Sequence, residues 1–308
     1  MTVAAVLGSV QSVVWTGWMQ RQITRLVLAL AALGASACDD GPPPAPTTPS
    51  VAVEPDPFAV HISGSGAMTP AAAQLSLAWS QSHPELRVVV EPSVGSTGGI
   101  RAAADGAVDV GMVARPLTDK ERDFGLRAVW GARDAVVLAV HPSVSATSMS
   151  SDEFGRLLAG ESVRFADGSP AVVLLRDRDD SAHAALERCF PALRALRENA
   201  YDTRRFRVLL HDDTMGEALV ATPGAIGVFS LGTILSGHMS LKVLTVDGVS
   251  PSVATMEAGT WKATRDLAFV VRADRVARVQ PFLTFVRGPV GERVLREGGY
   301  LPIKGSDP

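Results

Sequence analysis

Cysteine and tyrosine are nearly missing from this 308-residue chain, which has two of each. Two cysteines, Cys38 and Cys189, cannot make a disulfide framework. Neither sign of charge dominates: 29 basic against 32 acidic residues leave a net charge of −3. No basic run or aromatic–basic interleaving occurs, which excludes a nucleic-acid binder. The six histidines, His61, His83, His141, His183, His211 and His238, are scattered and form no H-E-x-x-H. A G-x-x-x-x-G-K-[S/T] phosphate loop, a complete G-x-G-x-x-G and a G-x-S-x-G nucleophile elbow are all missing. Ser181 and His183 lie two residues apart, so on a helix they do not face each other. A hydrolase built on that pair is a remote reading, and no metal, cofactor or covalent chemistry is expected.

What is present begins with Arg21 and Arg25 ahead of Leu26–Ala37, twelve uncharged and mostly apolar residues. That is short of the about 20 needed to span a bilayer but fits a signal-peptide core. Ala35, Ser36 and Ala37 lead into Cys38, which resembles a bacterial lipobox with Ala35 where leucine is usual. The expectation is a signal peptide over residues 1–37, with Met19 a natural start, and lipidation at Cys38. Asp39–Pro57 is proline-rich and almost without large apolar residues. It reads as an extended tether over residues 38–57, with Asp39 suiting retention at the inner membrane.

From Phe58 onward short apolar runs alternate with helical patterns, the signature of α/β architecture with mostly parallel sheets. Strands are expected at Val60–Ser63, Arg87–Glu91, Val108–Val113, Ala135–Val140, Val172–Leu175, Ile226–Phe229, Leu241–Val246 and Leu267–Val271. Thr69-Pro70 reads as an N-cap followed by proline at the first helical position, opening a helix over Ala71–Ser82. Ile100–Asp105 reads as the next helix. Thr118 with Glu121, and Ser150 with Glu153, spell capping boxes. Cys189 falls within an apolar helical pattern and reads as a buried free thiol.

Three strand-to-helix turns could hold a small oxyanion: Ser63-Gly64-Ser65-Gly66, Gly95-Ser96-Thr97-Gly98-Gly99, and the stretch Arg176–His183. Glycine lets backbone approach a ligand, helix starts offer N–H groups, and hydroxyls and guanidinium groups add donors.

The chain resembles the phosphate-binding proteins of bacterial phosphate ABC importers, within the type II periplasmic solute-binding superfamily. The resemblance rests on Gly95-Ser96-Thr97-Gly98-Gly99-Ile100, Gly106-Ala107-Val108-Asp109-Val110-Gly111, and Ala114-Arg115-Pro116-Leu117 with Glu121. It also rests on Asp134–Pro142, Thr222-Pro223-Gly224-Ala225-Ile226-Gly227, Phe282–Val286 and Gly299-Tyr300-Leu301-Pro302. It implies a two-lobed type II periplasmic-binding-protein fold with two hinge-crossing strands. Lobe one would hold residues 58–136 and 270–308, lobe two residues 137–269. Ligand contacts would come from Ser65, Gly66, Ala67, Ser96, Thr97, Gly98, Arg115, Ser181, Ala182 and His183, with Arg176 and Arg178 competing for the anion-binding arginine. The family's pattern has a threonine at Ala67, an acidic or hydroxyl residue at Ala114, and Ser-Gly-Thr at Ser181-Ala182-His183. The implied protein is a monomeric, lipid-anchored periplasmic binder of phosphate or a related oxyanion, serving an inner-membrane ABC permease. A sensory or scaffold lipoprotein with a degenerate pocket is the alternative. If His183 holds the anion as imidazolium, affinity should fall as pH rises through about 6–7.

Overall fold

The computed structural model describes Asp56 and residues 58–303. The signal segment, Cys38 and the proline-rich tether lie outside the described residues. The first stretch runs β1 (Ala59–Gly64), α1 (Thr69–Ser80), β2 (Arg87–Val90), α2 (Gly95–Ala104), β3 (Val110–Val113), α3 (Asp119–Arg122) and β4 (Leu126–Val140). A middle stretch follows with β5 (Ser148–Met149), α4 (Ser151–Ala159), β6 (Val172–Arg176), α5 (Ser181–Cys189), α6 (Ala192–Asp202) and β7 (Arg207–Leu209). It continues through α7 (Asp212–Ala221), β8 (Ala225–Ser230), α8 (Leu231–Ser236), β9 (Lys242–Val243), β10 (Thr245–Val246) and α9 (Val253–Glu257). The chain returns on β11 (Thr264–Arg272) and ends with α10 (Val276–Val286), α11 (Pro289–Glu297) and β12 (Leu301–Pro302).

The main sheet follows the path β2-β1-β3-β11-β4-β8-β6-β7, with β9 and β12 also pairing β4, while β5 and β10 form a separate two-stranded sheet. β1 pairs in parallel with β2 and β3, and β6 in parallel with β7 and β8. The long strand β4 joins the two halves. Its residues Leu126–Ala135 pair antiparallel with β11, and Val136–Val140 pair antiparallel with β8. The apolar core divides at the same place. One cluster, including Val60, Leu75, Trp79, Val129, Phe269 and Phe282, belongs to the first lobe. Another, including Val136, Phe154, Leu174, Leu186, Phe229 and Trp261, belongs to the second. A smaller cluster with Ile100, Val113 and Val270 covers the other face of the first lobe's sheet. Strands covered on both faces read as the continuous apolar runs seen in the sequence.

Several local expectations shift. α1 starts two residues before the expected Ala71 and ends two before Ser82: Met68, not Thr69, is the N-cap, and Thr69 lies inside the first turn with its hydroxyl buried and unpartnered. The helix still buries its stripe Ala71, Ala72, Leu75 and Trp79, each large member contributing about 1.5–3 kcal/mol. Gly95–Gly99 is no turn but the opening of α2. Leu241–Val246 divides into β9 and β10, which pair with different partners. Cys189 is a free thiol but half-buried, not buried. Both capping boxes form with reciprocal bonds.

Candidate functional site

The first lobe supplies a wall of hydroxyl groups. β1 ends at Gly64, whose φ of +141° and close approach to Met112 leave no room for a side chain. The chain then turns through Ser65, whose N–H donates to the Met112 carbonyl at 2.8 Å. On α2, Ser96 Oγ accepts the Ala114 N–H at 3.1 Å, and Thr97 Oγ1 accepts from Arg115 Nη2 at 3.0 Å. Arg115 also donates through both terminal nitrogens to Glu121, each at 2.8 Å. Those bonds, with the Thr118 cap, hold the Glu121 carboxyl down at about 2 despite partial burial.

The second lobe and the hinge supply guanidinium groups held by carboxylates. Arg176 ends β6 with its side chain 3% exposed. Asp180, the N-cap of α5, accepts its Nε at 3.1 Å and Nη2 at 2.5 Å. Asp212, first residue of α7, lies 3.2 Å from the same Nη2. On the crossing strands, Arg265 donates through Nε to Asp134 at 3.2 Å and through Nη1 to Ser181 Oγ at 2.9 Å. The pair sits in register, Arg265 opposite Asp134 and Asp266 opposite Arg133. Arg133 and Asp266 form a second ion pair at 2.6 Å, half-exposed where the first is buried. Burial pushes the Asp134 and Asp212 carboxyls up. Burial also pushes Asp180 up, but Arg176 and Arg265 outweigh it and hold Asp180 below the usual range. Asp180 therefore carries the firm negative charge of the cluster, and Asp212 takes a proton more readily.

These groups surround a cleft of about 370 Å³ lined by both lobes and by Arg265. Ser96, Thr97 and Ser181 each already accept a bond from a protein N–H. A hydroxyl carries one hydrogen besides its lone pairs, so each has a hydrogen to offer an acceptor in the cleft. Arg176 Nη1 is buried and has no partner. A buried donor left unpaired costs about 1–3 kcal/mol, more when charged, and an oxyanion in the cleft removes that cost.

Of the residues expected from sequence, Ser65, Ser96, Thr97, Arg115, Arg176 and Ser181 meet at the cleft. Gly66 instead forms the contact between lobes: a Cβ there would lie 2.7 Å from Asp212 Cβ. Ala67 is buried, and its carbonyl accepts the Tyr300 hydroxyl at 2.8 Å. Gly98 packs on the Val94 side chain. Ala182 is buried behind its N–H bond to Asp180. Arg178 turns away from the cleft to Glu198 at 2.8 Å and Asp202 at 2.9 Å, with its guanidinium over the Tyr201 ring. Of the two arginines, Arg176 lines the cleft. His183 also points elsewhere. Its Nε2 lies 3.1 Å from the Tyr201 hydroxyl, beside Phe154, Leu158 and Leu175. Burial, then Arg197, lowers its pKa to about 4, so it holds no imidazolium near neutral pH.

Arg265, Asp134, Asp180 and Asp212 were not expected. The dipeptide Arg-Asp stands once in each crossing strand, at Arg133-Asp134 and Arg265-Asp266. A lone charge pair beside an apolar run in both strands was the available signal. Asp212 had none, because acidic residues at a helix start are ordinary dipole partners. A larger hollow, about 480 Å³ between α4 and α6, includes Cys189 and Phe190 but lacks convergent donors of this kind.

Residues 41–289 match the family model described as the PBP superfamily domain. The chain belongs to the PBP superfamily. It is 28% identical over 108 residues to the phosphate-binding protein PstS 2 of Streptococcus agalactiae serotype V, an alignment covering 35% of this chain and 36% of that protein. The match thus spans about a third of the curated relative's length. In fold, this PBP-superfamily chain is similar to a putative phosphate ABC transporter substrate-binding protein from Clostridium perfringens, solved with bound phosphate. That comparison gives 20% identity, coverage of 80% of this chain and 100% of the other, and a TM-score of 0.67. An ABC-type phosphate transport receptor from Vibrio cholerae gives 20% identity, 79% and 99% coverage, and a TM-score of 0.54. At these identities the solved structures establish the two-lobed fold.

Proposed function

We propose that this protein is an extracytoplasmic lipoprotein, anchored through Cys38, that binds phosphate or a related small oxyanion between its lobes for an ABC importer. The observation that carries this reading is Arg176: almost fully buried, with Nη1 unpartnered at a cleft ringed by the Ser65, Ser96, Thr97 and Ser181 hydroxyls. The names of the relatives, which are phosphate-binding and phosphate-transport proteins, support the same ligand chemistry.

Binding needs no covalent step. The first lobe donates hydroxyl hydrogens, the second donates guanidinium and hydroxyl hydrogens, and Arg265 on the crossing strand steadies Ser181. A ligand that touches both lobes favours their closed arrangement by as much as its contacts differ between the open and closed forms. Charge-assisted hydrogen bonds of this kind contribute roughly 1.5–3 kcal/mol each.

Calorimetric titration of the full-length chain with inorganic phosphate tests the reading. Heat of binding is expected, and Arg176→Ala should weaken affinity by at least 100-fold. No heat and no thermal shift at millimolar phosphate would sink it.

A further inference from the structure

The cleft holds more negative charge, and more room, than a bare oxyanion calls for. Asp177, Asp179, Asp180 and Asp212 all line it. The cations facing them are already committed. Arg176 serves Asp180 and Asp212, Arg265 serves Asp134 and approaches Asp180 at 3.6 Å, and Arg115 serves Glu121. Asp177 accepts the Asp179 N–H, and among the described residues neither carboxylate has a lysine or arginine partner. Arg178, between them in sequence, is turned outward to Glu198 and Asp202.

Size points the same way. The lobes already touch where Gly66 meets Asp212, yet about 370 Å³ remains. A tetrahedral oxyanion displaces about three waters, on the order of 90 Å³ at ~30 Å³ per water. The same lining includes the apolar side chains Val94 and Leu210 and the two uncommitted aspartates. The lining therefore carries an anion-binding set, including Arg176 with its buried, unpartnered Nη1. The other lining groups offer contacts to a short apolar spacer and a cation.

We propose that the ligand is a zwitterionic organophosphorus compound, an aminoalkyl phosphonate or phosphate ester. Its phospho group meets Arg176 and the hydroxyls, and its ammonium meets Asp177 and Asp179. This rests on the oxyanion reading above and narrows it. Ion pairing to both ends supplies a specificity that neither inorganic phosphate nor an alkyl phosphonate without an amine can use.

The test is calorimetric titration of the full-length chain with 2-aminoethylphosphonate, ethylphosphonate and inorganic phosphate. The amine compound is expected to bind at least tenfold more tightly than either of the others. In the Asp177→Asn/Asp179→Asn variant, the ratio between aminoethylphosphonate and ethylphosphonate should fall to within about twofold. Asp179 is exposed and Asp177 partly so, and asparagine at 177 keeps an oxygen to accept the Asp179 N–H, so this variant should keep the wild-type melting temperature. Inorganic phosphate binding as tightly as the amine compound would overturn this proposal and leave the oxyanion reading standing. A ratio that survives in the double variant would overturn the assignment to Asp177 and Asp179. No heat with any of the three compounds would overturn both readings.

Discussion

Arg176 and His183, seven residues apart, show how one strand-to-helix junction supplies both a cleft-lining group and a packing group. Both lie at the junction of β6 and α5, and the Arg176 carbonyl accepts the Tyr201 hydroxyl at 2.5 Å while His183 Nε2 lies near the same hydroxyl. Arg176 extends into the cleft and His183 into the second lobe's core. With its folded pKa near 4 against an ordinary value of 6.5, His183 binds a proton more readily in the unfolded chain. Its contribution to stability is fully present above pH 6.5 and is lost as pH falls from 6.5 through 4. Urea titrations of wild type and His183→Gln across pH 4–7.5 should show a shallower loss in the variant over that window. Oxyanion affinity, by contrast, should carry no inflection from His183 between pH 6 and 7. A wild-type inflection there that vanishes in His183→Gln would contradict its placement.

At the scale of elements, the cleft depends on how closely α2 lies on β1. A Cβ at Gly99 would stand 2.6 Å from Gly64 Cα and 3.1 Å from the Met112 and Ser63 carbonyl oxygens. All three are backbone atoms and cannot swing aside. Gly99→Ala therefore pushes α2 off the sheet, at a cost of about 1–3 kcal/mol. It also moves Ser96 and Thr97, which sit one turn earlier. A lowered urea midpoint together with weakened oxyanion binding is expected; an unchanged midpoint would refute the close-packing account. The glycine run was visible in the sequence, but its helical conformation was not, because glycine disfavours helix and usually marks a turn. Strand positions were legible where side chains were continuously apolar, as in β6 and β8. β4 was legible only from Ala135 onward. Its first half carries Arg127, Gly131, Arg133 and Asp134, whose polarity hides a strand that alternates between solvent, core and hinge. The cleft hydroxyls and Arg176 stood at recognisable strand-to-helix junctions. Arg265 and Asp212 did not, because their roles arise from contacts between segments 84 and 36 residues away from Ser181 and Arg176 in number.

At the scale of the molecule, two cores share one strand. Backbone ladders tie β4 to β11 on one side and to β8 on the other, and the buried Arg265–Asp134 pair lies where they meet. Unfolding one lobe strips partners from the strand that closes the other. A single cooperative transition is expected. An oxyanion at 100 times its dissociation constant should raise stability by about 2.7 kcal/mol. Hydrogen exchange should report that gain equally in β1–β3 and in β6–β8. Protection gained in one lobe alone would show that the lobes open independently.

The two crossings also impose an order on biosynthesis. Lobe two is drawn from one unbroken stretch, between the middle of β4 and the start of β11, and can assemble as soon as that stretch emerges. Lobe one cannot. Its strand β3 keeps an open edge until β11 arrives to pair with it, and α10 and α11 come later still. An open apolar edge invites pairing with another chain. The N-terminal half of this protein must therefore wait, unfinished, while about 150 further residues are made. The interval before β11 arrives is when the nascent chain most needs a holding partner.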